Sequence, residues 1–260
     1  MAAGPAVKEG LGRSTRIGLS LLGLVLFFGG WEIAVRLGAL PAGMVPAPSD
    51  LGPAWLAEIR GGFWQQAILD SLHHYCLGLL IGSVLGAGMG ILCGMGAVLD
   101  NLLEGVVRLL RPVPGLAWVP FAILWFGLNT AGATFVIAIS VFWINFYAAH
   151  SAVRGVDPEL FELSAAFGHG GFWGRLLKVV LPASAPGIMA GLRTGLGQGW
   201  MSVVAAELFG VPGIGARMMQ ASSLLATDVV VVYMLTMALL YAITDFLFGL
   251  VRNWVLRWQP

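Results

Sequence analysis

The sequence predicts an all-α integral membrane protein with about six transmembrane helices. Hydrophobic residues make up 58% of the 260 residues and charged residues only 10%, which is less than half the charged fraction of an ordinary soluble domain. The mean hydropathy is +0.86. The apolar residues form runs close to the ~20 residues that cross a bilayer as a helix. The runs lie at 17–37, 72–96, 131–152, 187–209 and 228–251, with a sixth, interrupted run at 104–127.

The first apolar run follows a short basic segment and could pass for a secretory signal. Lys8, Arg13 and Arg16 precede it. The run continues to about Leu37, close to a full bilayer crossing, and it shows no small-x-small cleavage site. We therefore interpret it as an uncleaved first span.

The interrupted run contains two arginines and three prolines, Arg108, Arg111, Pro112, Pro114 and Pro120. Because proline removes a backbone donor and kinks or breaks a helix, we expect a broken span here. Its freed backbone groups should be buried in protein rather than face lipid.

The distribution of Lys and Arg predicts that both termini lie in the cytoplasm. With six spans and a cytoplasmic N-terminus, ten of the 14 basic residues lie at or near the cytoplasm. Arg36, Arg60 and Arg217 then lie outside, and Arg193 lies inside a span. This asymmetry agrees with the positive-inside rule for an inner-membrane protein.

The chain is thus divided into one membrane domain and two short tails. The tails are residues 1–16 and 253–260, and the membrane domain is 17–252. In the first external segment, 38–70, Ser49 or Asp50 is placed to cap a short helix from Leu51 to Arg60.

The longest internal segment, 153–186, is predicted to present a short capped helix. Asp157 would be the cap, Pro158 the first helical residue and Glu159 an acidic group in the first turn. A glycine cluster from Gly168 onward should end this helix.

Two of the runs carry a glycine at every fourth position. These are Gly78, Gly82, Gly86, Gly90 and Gly94 in the second run, and Gly187, Gly191, Gly195 and Gly199 in the fifth. Glycines at this spacing make a groove that lets another helix approach closely. Tight packing is the main expectation, and the alternative is that glycine also lets these helices flex or slide.

The sequence carries no signature of a catalytic or metal site. A P-loop needs a lysine followed by Ser or Thr, and neither Lys8 nor Lys178 is followed by either. The four histidines lack metal-ligand spacing, and no Gly-x-Ser-x-Gly elbow is present. The near-neutral charge, +1, gives no reason to expect nucleic acid. We therefore predict no catalytic residue, metal or cofactor in this chain, and any ATP hydrolysis in another one.

Ionisable groups within the spans are costly and are candidates for a polar path. Glu32 and Glu207 lie near the outer ends of their spans, where an interfacial location alone could explain them. Arg193 and Asp245 lie at matching depths, so pairing, snorkelling and attraction of an anion are all open. The candidate path or gate residues are Trp118, Trp125, Asn145, Arg193, Ser202 and Glu207, with packing or interfacial anchoring as the alternative for each.

The internal segment resembles the "EAA" loop of binding-protein-dependent ABC importer permeases. The residues that carry the resemblance are Asp157-Pro-Glu-Leu-Phe-Glu-Leu-Ser-Ala-Ala-Phe-Gly168 and Leu176-Leu-Lys-Val-Val-Leu-Pro182. Glu162 matches the glutamate of that pattern, and Gly168 follows six residues later. Leu163 and Ser164 replace the two alanines, and one extra residue precedes the Val-Val-Leu-Pro block.

Further segments are similar to the taurine, alkanesulfonate and nitrate permeases within that family. These segments are Trp31-Glu32, Arg111-Pro-Val-Pro, Val119-Pro-Phe-Ala-Ile-Leu-Trp-Phe-Gly127, Val204-Ala-Ala-Glu-Leu208, Gly213-Ile-Gly215 and Thr227-Asp228. The resemblance implies the type I ABC importer permease fold and a small anionic solute. An ion-coupled secondary transporter is the alternative, although we find no internal repeat of the kind that such proteins often show.

The resemblance also implies partners. These are ABC ATPase subunits that hold ATP and magnesium, an extracytoplasmic solute-binding protein, a second permease copy and the lipid of a bacterial inner membrane. The ATPase would contact the internal segment as a coupling helix. The residues assigned to that coupling loop are Asp157, Glu159, Glu162, Leu163, Ser164, Gly168, Leu181 and Pro182.

Overall fold

The structure is a computed structural model that describes residues 12–39, 43–110 and 112–258, and all its regular elements in those residues are helical. The helices are α1 (Arg13–Arg36), α2 (Pro48–Arg60), α3 (Phe63–Met95), α4 (Ala97–Leu110), α5 (Val119–Phe126), α6 (Thr130–Arg154), α7 (Pro158–Ala166), α8 (Phe172–Arg175), α9 (Leu181–Glu207), α10 (Ile214–Ser223) and α11 (Thr227–Val255). A 3-10 turn, Gly115–Trp118, precedes α5, and a π-helical turn, Leu176–Val180, joins α8 to α9.

Five helical segments are long and apolar enough to cross a membrane. They are Ile17–Arg36, Phe63–Met95, Thr130–Arg154, Phe172–Glu207 and Thr227–Val255. A sixth candidate is the pair Ala97–Leu110 and Gly115–Phe126, whose two parts are bent by 90°. The bend falls at the proline-containing interruption, as the sequence predicts. The all-helical fold with five to six spans is thereby confirmed.

The central helix of the bundle is α6, which packs against α3 on one side and α9 on the other. Gly78 of α3 faces Ile137 and Gly94 faces Val153, so α3 and α6 run in the same direction. Gly187 of α9 faces Ala152 of α6, and α9 runs the opposite way.

The ends of these helices define two ends of the bundle. At the α7 end, α6 stops at Arg154 and α9 starts at Leu181, with α7 and α8 between them in the chain. The end of α11 lies here too, since Asp245 pairs with Arg193 near the start of α9. The opposite end, where α10 lies, is the α10 end.

The glycines of α3 bring its backbone into contact with the backbone of α6. A Cβ atom on Gly82 would lie 2.5 Å from the carbonyl oxygen of Ala138. A Cβ on Gly86 or Gly90 would collide with the carbonyl oxygen of Phe142 or Phe146. A backbone neighbour cannot rotate away, so each position requires a residue without a side chain.

The glycines of α9 allow a similar approach to α6 and, toward the α10 end, to an aromatic ring. A Cβ on Gly191 would collide with the Cβ of Ala148, and one on Gly195 would lie 3.1 Å from Nδ2 of Asn145. At Gly199 the neighbour is the ring of Tyr75, at 2.9 Å. That ring also stacks on Trp200, with centroids 4.4 Å apart. Both glycine rows therefore serve the packing around α6.

The α10 end is held by a buried ion pair between α2 and α10. Arg217 Nη2 donates to Glu58 Oε2 at 2.8 Å, and the Tyr233 hydroxyl of α11 donates to the same oxygen at 2.7 Å. Burial by itself would lower the pKa of Arg217, but the hydrogen bond to Glu58 outweighs it and raises the pKa above its ordinary value. The guanidinium therefore stays charged and ties three helices together.

Two helix starts differ from the sequence-based expectation. The second span starts at Phe63 instead of near residue 72. Its first two turns are polar, yet they continue the helix, and Gln66 donates to Asp70 one turn later at 3.0 Å. The α2 helix starts at Pro48, so neither Ser49 nor Asp50 is its cap. Asp50 lies in the first turn, where its carboxylate accepts from the Ala47 N–H at 3.1 Å.

Candidate functional site

The α7 segment has the capped geometry that its sequence specifies. The Asp157 carboxylate accepts from the Glu159 N–H at 2.9 Å, and Pro158 is the first helical residue. The helix ends at Ala166, and Gly168 adopts φ +83°, a conformation that favours glycine. The His169 N–H then donates to the Ser164 carbonyl at 2.9 Å, which closes the turn.

The surface of α7 is unusually apolar for a segment outside the spans. Leu163 is 56% exposed and Phe167 is 74% exposed, while Ser164 is buried toward the bundle. Glu159 and Glu162 are also exposed. The helix therefore presents a mixed apolar and acidic surface with nothing packed on it in the described chain.

A groove of about 630 Å³ separates α7 from the start of α9. It is lined by Leu160, Leu163, Ser164, Phe167, His169, Lys178, Val179, Pro182 and Ala183. The structure thus brings together three residues of the coupling-loop set, Leu163, Ser164 and Pro182, on one groove. Asp157, Glu159, Glu162, Gly168 and Leu181 flank it along the chain without lining it.

The two tryptophans among the candidate path residues belong to one aromatic cluster around α5. Trp118 and Trp125 both meet the ring of Phe135 edge-on, with centroids 6.2 Å and 5.7 Å away. Trp125 is 59% exposed. Trp118 Nε1 is buried and has no hydrogen-bond partner among the described residues.

Asn145 and Ser202 lie inside the bundle. Asn145 sits on α6 between α3 and α9, and its Nδ2 donates to the Ser83 hydroxyl of α3 at 3.0 Å. Its Oδ1 is buried without a hydrogen-bond partner among the described residues. Ser202 of α9 is also buried. These side chains form no shared site with the two tryptophans.

The Arg193–Asp245 question has a clear geometric answer. Arg193 Nε and Nη2 donate to the two Asp245 carboxylate oxygens at 2.7 and 2.8 Å. This is the bidentate arrangement that planar guanidinium and carboxylate groups favour. Pairing, one of the three alternatives left open by the sequence, is the arrangement in the structure.

Glu207 is completely buried, which corrects the expectation that an interfacial location would explain it. Ser71 of α3 donates to both carboxylate oxygens at 2.8 and 2.9 Å, and the Gly215 N–H donates to Oε2 at 2.9 Å. His74 Nδ1 lies 3.1 Å from Oε1. Because an ionised carboxylate can only accept, His74 must carry a proton on Nδ1.

The loop after α9 closes over this carboxylate. A Cβ on Gly213, whose φ is +152°, would collide with the Glu207 carboxyl group. The Ser71 hydroxyl also accepts from the Ile214 N–H at 2.9 Å. The cluster of Ser71, His74 and Glu207 thereby fixes the loop and the start of α10 onto α3 and α9.

Sequence reasoning missed Ser71 and His74 as partners of Glu207. They lie three residues apart on α3 and so share one face of the helix. That spacing was the available signal, but the histidines were considered only as metal ligands. The described residues contain no group of three or more His, Cys, Asp or Glu side chains that could hold a metal ion.

A charged cavity of about 430 Å³ lies between α4 and α6 and was also not anticipated. Its lining includes Asp100, Glu104 and Arg108 of α4 and His150 of α6. His150 Nε2 lies 2.8 Å from Asp100 Oδ1. These charges share the face of α4 that turns toward α6, so this side of α6 offers a polar surface near the α7 end.

Comparison with known proteins identifies the family. Residues 78–257 match the family described as "Binding-protein-dependent transport system inner membrane component". The putative aliphatic sulfonates transport permease protein SsuC of Escherichia coli (strain K12) is 32% identical, over 88% of this chain and 88% of that protein. SsuC of Bacillus subtilis (strain 168) is 31% identical, over 88% and 83%. The taurine transport system permease protein TauC of Escherichia coli (strain K12) is 30% identical, over 84% and 81%.

A solved structure supports the same fold. The MetNI methionine ABC transporter in an inward-facing conformation superposes with a TM-score of 0.62 at 18% identity, covering 77% of this chain and 97% of that chain. The type I ABC importer permease fold expected from the sequence is thereby confirmed. With the family match over most of its length, the chain belongs to the inner-membrane components of binding-protein-dependent transport systems, as an ABC importer permease subunit and not an enzyme.

Proposed function

We propose that this chain forms the translocation path for a small anion of the sulfonate, taurine or nitrate type. An extracytoplasmic binding protein would deliver the anion, and separate ATPase subunits would drive its import. The proposal rests on the relatives, which are named for aliphatic sulfonates and taurine and match more than four fifths of this chain. A secondary transporter, the alternative from sequence, has no support among these relatives.

The observation that carries the mechanism is the exposed surface of α7. Exposed Leu163 and Phe167 lie on a capped helix outside the spans, next to a groove that leads to the start of α9. Burial of such apolar groups against a partner is favourable by roughly 25 cal/mol per Å². A partner that pushes on α7 would move α9 directly, since only the short α8 and a π-helical turn separate them. We assign this surface to the ATPase.

Charge reversal at Glu162 tests the assignment. The carboxylate is exposed on α7, and a reversed charge at a docking surface adds repulsion or an unpaired charge. Glu162→Lys should lower both co-purification of the ATPase and solute uptake while leaving membrane insertion intact. Arg60→Glu, a charge reversal at the end of α2 on the α10 end, should retain the ATPase. Wild-type co-purification by Glu162→Lys would remove this residue from the interface.

The orientation that we propose places the α7 end, with both termini, in the cytoplasm of a bacterial inner membrane. The distribution of Lys and Arg supports it. His169 lies in the turn after α7, so His169→Cys should resist a membrane-impermeant thiol reagent in intact cells and react after permeabilisation. Rapid labelling in intact cells would invert the orientation. We further propose that two copies of this chain assemble in each importer, which cross-linking in membranes would test by the presence or absence of a dimer band.

A further inference from the structure

A polar pocket of about 600 Å³ opens between α9 and α11 at the α7 end. Its lining residues are Pro186, Ala190 and Arg193 from α9, and Arg252, Asn253, Leu256 and Arg257 from the end of α11 and the residues after it. Three arginines thus face one space. None of the proposed coupling or path functions accounts for this concentration of positive charge.

Two of these arginines have no counter-charge. Arg193 is neutralised by its bidentate contact with Asp245. Arg252 donates to the side chain of its neighbour Asn253 at 3.0 and 3.3 Å, and the Arg257 guanidinium lies over the Trp254 ring at 5.7 Å. Neither forms an ion pair with a carboxylate within residues 12–39, 43–110 and 112–258. The pocket therefore carries two unbalanced positive charges.

The surroundings of the pocket are those of a membrane interface. Trp254 is 68% exposed and Trp258 is 56% exposed, and exposed tryptophans are typical of the headgroup region. On α11, Phe246 and Leu250 are both exposed. At 3.6 residues per turn they lie on the same face as Arg257. An apolar surface thus leads from the pocket toward the middle of the span.

We propose that this pocket binds the headgroup phosphate of an anionic phospholipid. Arg252 and Arg257 would donate to the phosphate oxygens, a geometry that guanidinium groups favour. The acyl chains would lie along Phe246 and Leu250. A free inorganic or organic anion would use the arginines but would leave the exposed tryptophans and the apolar face without a partner, so the whole arrangement favours a lipid. The inference requires only that α11 spans the membrane and is independent of the transported solute.

The experiment titrates the purified full-length chain in detergent with short-chain phosphatidylglycerol and, in parallel, with phosphatidylcholine, and counts bound lipid by native mass spectrometry. Phosphatidylglycerol should bind more tightly. Arg252→Gln and Arg257→Gln should each weaken its binding about fivefold, the contribution of one arginine at an anionic membrane surface. Arg252→Lys and Arg257→Lys should restore much of the binding, because most of the attraction is electrostatic.

Arg60→Gln is the matched control, because it removes an exposed arginine at the α10 end. It should leave phosphatidylglycerol binding unchanged. Each Gln variant is first required to give the same monodisperse protein as wild type. Equal binding of the two lipids, an equal loss in the Arg60→Gln control, or no loss in the Arg252→Gln, Arg257→Gln double variant would overturn the proposal. Displacement of the lipid by millimolar sulfate or taurine would do the same, by showing a site for a soluble anion.

Discussion

At the scale of single residues, Glu207 shows how a carboxylate is retained within a membrane protein. Burial of a charge is costly unless hydrogen bonds and an opposite charge compensate for it. The Ser71 hydroxyl, the His74 ring and the Gly215 N–H all surround this carboxylate. The four groups come from α3, α9 and α10, so Glu207 links three elements at the α10 end. We infer a positioning role for Glu207.

Replacement of Glu207 by Gln tests this role without creating a cavity. The amide NH2 would face the Ser71 hydroxyl or the Gly215 N–H, leaving a buried donor unpaired at a cost of about 2 kcal/mol. Thermal unfolding of the purified protein in detergent should show this loss. Glu32→Gln is the control, because Glu32 is an exposed carboxylate bonded to Arg36 and Ser49. Its effect should be much smaller, and equal effects would show that the buried cluster has no special weight.

At the scale of elements, the contact between α3 and α6 depends on the absence of side chains. At Gly82, Gly86 and Gly90 the nearest atoms of α6 are backbone atoms. Dispersion contacts and close backbone approach supply much of the attraction between helices in lipid, where both surfaces are apolar. The two helices therefore form one rigid unit, and α9 packs on its other side.

Gly86→Ala should destabilise this unit, whereas Gly88→Ala should not. A Cβ on Gly86 would collide with the backbone of Phe142, and relief of the collision by helix separation should cost about 1–3 kcal/mol. A Cβ on Gly88 would meet nothing within 4 Å, and alanine is the better helix former. Unfolding of both variants in detergent is the measurement. Comparable stability of the two variants would contradict the packing role.

The helices themselves were largely predictable, because apolar length and glycine spacing are local properties of the sequence. The boundaries were less so. The start of α3 at Phe63 was missed because Gln65, Gln66 and Asp70 make its first turns polar. The partners of Glu207 were missed for a different reason. Ser71 and Glu207 are 136 positions apart, and only the packing of α3 against α9 shows that they meet.

At the scale of the whole molecule, the bundle consists of a central packed unit and an exposed device for receiving force. The unit is α3, α6 and α9, joined by the two glycine rows. The device is α7, which connects through α8 to the start of α9. The described residues of this architecture contain no site for nucleotide chemistry. The account therefore assigns the energy source to a separate polypeptide that acts through α7.

Solute uptake into vesicles tests this central claim most directly. The chain would be reconstituted with the ATPase and the binding protein that co-purify with it, and uptake of a labelled sulfonate would be followed with and without internal ATP. We predict uptake only when ATP, the ATPase and the binding protein are all present, and loss of uptake in Glu162→Lys. Uptake by this chain alone, driven by an ion gradient without ATP, would contradict the account.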